Sequence, residues 1–104
     1  MNDEERFNIL TPLGFSVRTS DRHWAALLEK HPYLEDIEPL IQQALSQPEE
    51  VRRSSQDPGV LLFYCQIKFQ RWAVAVARQL EDDGFLITAY QTSAIKEGEK
   101  LWPK

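Results

Sequence analysis

The chain has 104 residues, 42% hydrophobic and 27% charged, which suits one folded domain and excludes a disordered tail. Its formal net charge of −4 argues against a broad, non-specific nucleic-acid binder, although a local basic cleft remains compatible with it. Cys65 is the single cysteine, which excludes an internal disulfide; with only two histidines present, it offers no structural zinc pattern.

Residues 1–11 read as a flexible lead-in and 12–104 as a single α+β domain. The opening Met1–Arg6 stretch is polar and acidic, unlike a signal peptide, and no run is long and apolar enough to span a membrane. The cytoplasm is the expected location. Gly14–Arg18 alternates as a short first strand, with Phe15 and Val17 on one side. Thr19, Ser20 and Asp21 are consecutive N-cap candidates for a helix whose inward stripe is Trp24, Leu27, Leu28 and His31, and Pro32 ends it. A second helix spans Leu34–Ser46 with the stripe Ile37, Leu40, Ile41, Ala44 and Leu45. Pro39 is tolerated there if Asp36 is the N-cap, because the first turn needs no intrahelical N–H.

A strand meander follows. Glu50–Ser55 is polar and reads as an exposed or edge strand, and Gln56-Asp57-Pro58-Gly59 is a turn. Val60–Gln66 is apolar and reads as a central strand, where Cys65 is expected to be a buried, inert thiol. Trp72–Arg78 alternates large and small, and Glu81-Asp82-Asp83-Gly84 turns the chain into Phe85–Gln91. Ile95, Leu101 and Trp102 predict a tail that docks on the body. A two-residue turn at Asp82-Asp83 sets Thr88 against Ala77 and Tyr90 against Ala75. That register makes a shallow open face of hydroxyls and alanines, and leaves Trp72, Val74 and Val76 to meet Phe85, Ile87 and Ala89 in the core.

Candidate chemistry is dispersed, because there is no phosphate-binding glycine loop, nucleophile elbow or His-Glu-x-x-His. His23 and His31 stand about 12 Å apart on a helix, too far to share a metal ion. His31, at the helix C-terminus, suits either an acid–base role or a cap on the last carbonyls. Thr88, Tyr90 and Thr92 share one strand face, as phosphate or sugar ligands or simply as good strand formers. Arg52, Arg53, Lys68, Arg71 and Arg78 are either solvated charges or phosphate clamps; Arg78, which ends an apolar strand, is the most suggestive, and Arg53 sits in the middle of a polar one.

Several segments together resemble a known family. They are Glu29-Lys30-His31-Pro32, Ser46-Gln47-Pro48-Glu49-Glu50-Val51, Leu62-Phe63-Tyr64, Trp72-Ala73-Val74-Ala75-Val76-Ala77-Arg78, Phe85-Leu86-Ile87-Thr88-Ala89-Tyr90-Gln91-Thr92 and Ile95-Lys96-Glu97-Gly98 with Leu101-Trp102. In order and spacing they resemble the phage-type branch of the superfamily that gathers barnase, EndoU, the tRNA-cleaving colicins and RelE-like toxins. The resemblance spans roughly residues 15–102. It implies two N-terminal helices packed on a roughly four-stranded antiparallel sheet. It also implies metal-independent, cofactor-free RNA cleavage by 2′-OH attack on the adjacent phosphate, in a toxin or phage-derived effector with an antitoxin or immunity protein as a further partner. Carried over, His31 is the leading acid or base, Arg78 and Arg53 hold phosphate, and Thr88, Tyr90 and Thr92 line the cleft. The alternative is a non-catalytic protein-interaction module on the same fold, with Tyr33 and Trp102 in an exposed patch.

Overall fold

A computed structural model describes residues 4–96 and 98–103. The first three residues of the expected lead-in, Glu97 and Lys104 lie outside them. The rest of that lead-in is structured. Strand β1 (Glu5–Leu10) pairs antiparallel with β2 (Ser16–Ser20). Thr11 closes the hairpin through its backbone N–H and Oγ1, both donated to the Phe15 carbonyl at 2.9 and 2.8 Å, and Gly14 supplies the left-handed residue at φ +94°. Phe7 on β1 is buried edge-on to Trp24, with ring centroids 6.2 Å apart.

Of the three cap candidates, Ser20 serves helix α1 (Asp21–Lys30): its Oγ accepts the His23 N–H at 3.1 Å. Helix α2 occupies Leu34–Ser46, the span that the apolar stripe predicts. Its start differs from expectation, because the N-cap is Tyr33 and Asp36 lies within the first turn, where i→i−3 bonds such as Leu34 N–H to His31 carbonyl tighten the entry. Pro39 therefore sits inside the helix. The carbonyl that it leaves without a helical donor belongs to solvent-exposed Glu35, where water can replace the bond.

Strands β3 (Glu50–Arg53), β4 (Val60–Lys68), β5 (Arg71–Gln79) and β6 (Asp83–Thr92) form the expected antiparallel meander. The sheet as a whole corrects the four-stranded antiparallel expectation. It is mixed and seven-stranded, in the order β1-β2-β6-β5-β4-β3-β7, with β2 parallel to β6 and the tail forming β7 (Glu99–Trp102) against β3. Flanked on both sides, β3 is an interior strand, and Val51 is fully buried.

The β5–β6 register also differs from the expected one. Val76 faces Thr88, Val74 faces Tyr90, and a bulge at Ile87 shifts the pairing so that Arg78 faces Phe85. The faces are consequently exchanged. Ala73, Ala75 and Ala77 lie with Leu86 and Ala89 in the main core with the buried helix residues. Their small side chains let the α2 stripe of Ile41, Ala44 and Leu45 approach the strands closely. Val74 and Val76 lie on the opposite, outer face with Leu62 and Tyr64. Among the described residues, no helix is long and apolar enough to cross a membrane.

Candidate functional site

The helices cover one face of the sheet, and the strands order side chains on the other into lines of registered partners. Arg18, Phe85, Arg78 and Val60 follow one another across β2, β6, β5 and β4. The next line holds Thr88, Val76, Leu62 and Arg52, and the third holds Tyr90, Val74, Tyr64 and Glu50. Strand alternation dictates this placement, because Val17, Ala77 and Val51, one residue away from Arg18, Arg78 and Arg52, are core residues.

Since β6 and β7 lie at separated positions in the sheet, the segment after Thr92 must cross this face. Ile95 packs on the Leu62–Tyr64–Val74–Val76 cluster, and the Lys96 N–H donates to the Tyr64 hydroxyl at 3.1 Å. The Lys96 ammonium stands 5.8 Å from the centre of the Tyr90 ring, a cation–π contact. Between this strap, the loop after β3 and the sheet lies a cavity of about 250 Å³, whose polar lining includes Ser54, Thr88, Tyr90 and Lys96 over a floor of Leu62 and Val76.

Tyr90 is the chemically distinctive group in this cavity. Its hydroxyl is buried and has no hydrogen-bond partner among the described residues, and burial raises its pKa, so at neutral pH it is a protonated donor. Tyr64 is raised chiefly by burial as well, with the Lys96 N–H acting in the opposite direction. Among the described residues Lys96 makes no ion pair. The arginines of this face are already paired: Arg18 with Asp83 of β6, Arg52 with Glu50 and the Gly98 carbonyl, and Arg78 with Asp57 of the turn before β4 at 2.6 Å. The Arg78 guanidinium draws the Asp57 carboxyl below its ordinary range, with help from the Gly59 N–H.

The expected site residues divide accordingly. Thr88 and Tyr90 share the cavity, and Arg78 stands one line away on the same face. Beside them lie Val74 and Val76, not the alanines of the expected register. Arg53 alternates to the helix side, where it binds Glu99 at 3.1 Å and the Pro58 carbonyl at 2.7 Å. Thr92 caps the entry to the strap, its Oγ1 donating to the Ala94 carbonyl at 3.1 Å. His31 is outside the cavity, at the C-cap of α1. Its ring lies 5.7 Å from that of Tyr33, whose hydroxyl accepts the Gln91 N–H at 3.2 Å. His31 thus reaches the edge of β6 through Tyr33, one residue from Tyr90. Tyr33 is exposed, as the interaction-module alternative expects, whereas Trp102 is half-buried against the main core and is not part of an open patch.

Tyr64 and Lys96 are outer-face polar residues that sequence reasoning passed over, and Arg52 was grouped with the basic candidates without being singled out. Arg52 was legible from its parity with buried Val51; Lys96 required knowledge of where the strap crosses. Among the described residues, no three His, Cys, Asp or Glu side chains converge as a metal site would require. Comparisons with family models, curated proteins and solved structures return no match.

Proposed function

We propose that this chain is a metal-independent endoribonuclease domain of the barnase–EndoU–colicin–RelE kind, with RNA lying across the outer face of the sheet. The observation that carries this reading is the unpartnered Tyr90 hydroxyl in a cavity shared with Thr88 and Lys96. A buried donor without an acceptor is costly, and a phosphate oxygen is the acceptor that an adjacent ammonium and hydroxyl also favour. Around it, Phe85 is exposed and offers a ring face for a base, and Arg18, Arg52 and Arg78 retain donors beyond those used by their carboxylates.

In this chemistry the ribose O2′ forms a bond to the adjacent phosphorus and the P–O5′ bond breaks, giving a 2′,3′-cyclic phosphate and a free 5′-hydroxyl. Tyr90, Thr88 and Lys96 stabilise the charge on the non-bridging oxygens. A base must take the 2′-OH proton and another donor must supply O5′; His31, linked to β6 through Tyr33, is the candidate for proton transfer. An antitoxin or immunity protein would act by covering the same face.

The test is incubation of purified protein with single-stranded and structured RNA, in chelator, from pH 5 to 9, with end-group analysis. Cyclic-phosphate ends whose yield falls about a hundredfold in Tyr90→Phe and in His31→Ala support the reading. Intact RNA throughout overturns it. That result would favour a non-catalytic interaction module, a reading supported by the position of His31 outside the cavity and by the internal pairing of Arg78 and Arg53.

A further inference from the structure

A second and larger cavity, about 420 Å³, opens where β2 parts from β6. The two strands pair only through Ser16–Arg18 and Asp83–Phe85. Beyond that point β2 ends in α1, and the strands leave a notch lined by Glu5, Arg18, Thr19, His23, Phe85 and Leu86. Thr19 is only 7% exposed, and its hydroxyl is buried with no hydrogen-bond partner among the described residues. Burying such a group without a partner is costly.

The remaining lining defines what would enter. Phe85 is 39% exposed and presents an aromatic wall, and Leu86 supplies an apolar floor. Polar groups with accepting capacity predominate. Among the described residues Glu5 has no ion-pair partner, and the Thr19 hydroxyl can accept as well as donate. The Nε2 of His23 lies 3.0 Å from the Ile87 carbonyl, so it carries the proton, and in the neutral ring Nδ1 is a bare acceptor. Arg18, the one arginine or lysine of the lining among the described residues, is already bound to Asp83.

A flat ring with donor groups on its edge fits this set, and the volume lies within the range of small-molecule sites. The notch also adjoins the outer face, because Phe85 stands between Arg18 and Arg78 in one registered line. A nucleotide whose phosphates follow those arginines would have its base beside the notch. We infer that the notch accepts one nucleobase splayed from an RNA strand and selects bases carrying an exocyclic amine, namely adenine, guanine or cytosine, over uracil. This inference rests on the outer-face RNA reading and assigns that surface a base-specific subsite. Uracil has no exocyclic amine and brings only its N3–H, so it satisfies fewer of the acceptors at Glu5, Thr19 and the His23 Nδ1.

Titration of the isotopically labelled chain with AMP, GMP, CMP and UMP, followed by backbone amide shifts, tests the inference. The amine-bearing nucleotides should move the Thr19, Ser20 and Phe85 amides, with UMP about tenfold weaker. Thr19→Val and Glu5→Gln should reduce this preference to within about twofold while leaving the rest of the spectrum unchanged. Equal affinity for all four nucleotides, or shifts confined to Tyr90 and Lys96, would overturn the inference. Cleavage assays on homopolymers separate it from the reading on which it rests. Base-selective binding without cleavage removes the nuclease and keeps the notch. Cleavage indifferent to base and to Thr19→Val removes the notch and keeps the nuclease.

Discussion

Arg6 of β1 lays its guanidinium fork on the carboxylate of Glu38 in α2, with Nη2 and Nε 2.7 and 2.9 Å from the two oxygens. The same guanidinium reaches Asp21 at the start of α1 at 3.3 Å, so one side chain ties the first strand to both helices. The hydrogen bonds from Arg6 lower the Glu38 pKa against the opposing effect of burial. A carboxylate held below its unfolded value binds its proton less readily when folded. Its contribution is therefore complete above the unfolded pKa of about 4.3 and disappears as the pH falls through the depressed folded value. Glu38→Gln should lower unfolding stability by about 1 kcal/mol at pH 7. It should also flatten the acid limb below about pH 4.3. Urea unfolding from pH 7 to pH 2 measures both, and an unchanged acid limb in the variant would refute the assignment.

The strand that carries Arg6 was the least legible part of the fold. Phe7 and Ile9 alternate with polar residues, and Thr11-Pro12-Leu13-Gly14 is a turn signal, yet six residues at a chain end carry little weight until Ser16–Ser20 is known to need an edge partner. The helices were legible because Trp24, Leu27, Ile41, Ala44 and Leu45 recur at helical spacing and are buried. The faces of β5 misled because large residues are the usual core choice. Here Ala73, Ala75 and Ala77 lie in the helix-side core, and Val74 and Val76 form a second cluster beneath a strap that no local pattern announces. Of the site, Thr88 and Tyr90 were found by period two alone, which survives the register error because the bulge at Ile87 lies before them. Lys96 was not, since its approach to Tyr90 depends on the path from β6 to β7.

Gly84 is the position where β6 and β5 meet too closely for a side chain. A Cβ there would fall 2.6 Å from the Arg78 carbonyl oxygen and 3.0 Å from Phe15 Cε2. The neighbour is backbone within a paired ladder, so relief requires moving a strand. Gly84→Ala should destabilise the chain by about 2–3 kcal/mol. Chemical denaturation monitored by circular dichroism reads this directly. A loss below about 0.5 kcal/mol would mean that the strands are not so closely packed.

Gln70 makes the opposite case. It occupies the tight turn between β4 and β5 at φ +56°, a conformation that costs a non-glycine residue roughly 1–2 kcal/mol. Glycine removes that cost but loses more backbone freedom on folding, by roughly 0.5–1 kcal/mol. Gln70→Gly should therefore gain about 0.5 kcal/mol, a shift of about 2–4 °C in Tm for a domain of this size. A lower Tm would show that Gln70 makes a side-chain contribution outweighing its backbone strain.

Tyr90 should show stability and function moving in opposite directions. Its hydroxyl is buried without a partner, so Tyr90→Phe removes a desolvated polar group while keeping the ring beneath Lys96. The expected gain is about 1 kcal/mol. That corresponds to roughly 4–8 °C in Tm. If the hydroxyl is held there for a phosphate oxygen, the same variant should bind short RNA more weakly, by about tenfold, as loss of one hydrogen bond to a charged group requires. Calorimetric unfolding and fluorescence anisotropy with a labelled oligoribonucleotide measure the two quantities on one preparation. A stabilised variant with undiminished RNA affinity would leave the cavity as a packing defect. A destabilised variant would mean that the hydroxyl already has a partner within the fold. Only the combination of higher Tm and weaker RNA binding assigns the orphaned donor to a ligand, because packing alone has no means of coupling the two with opposite sign.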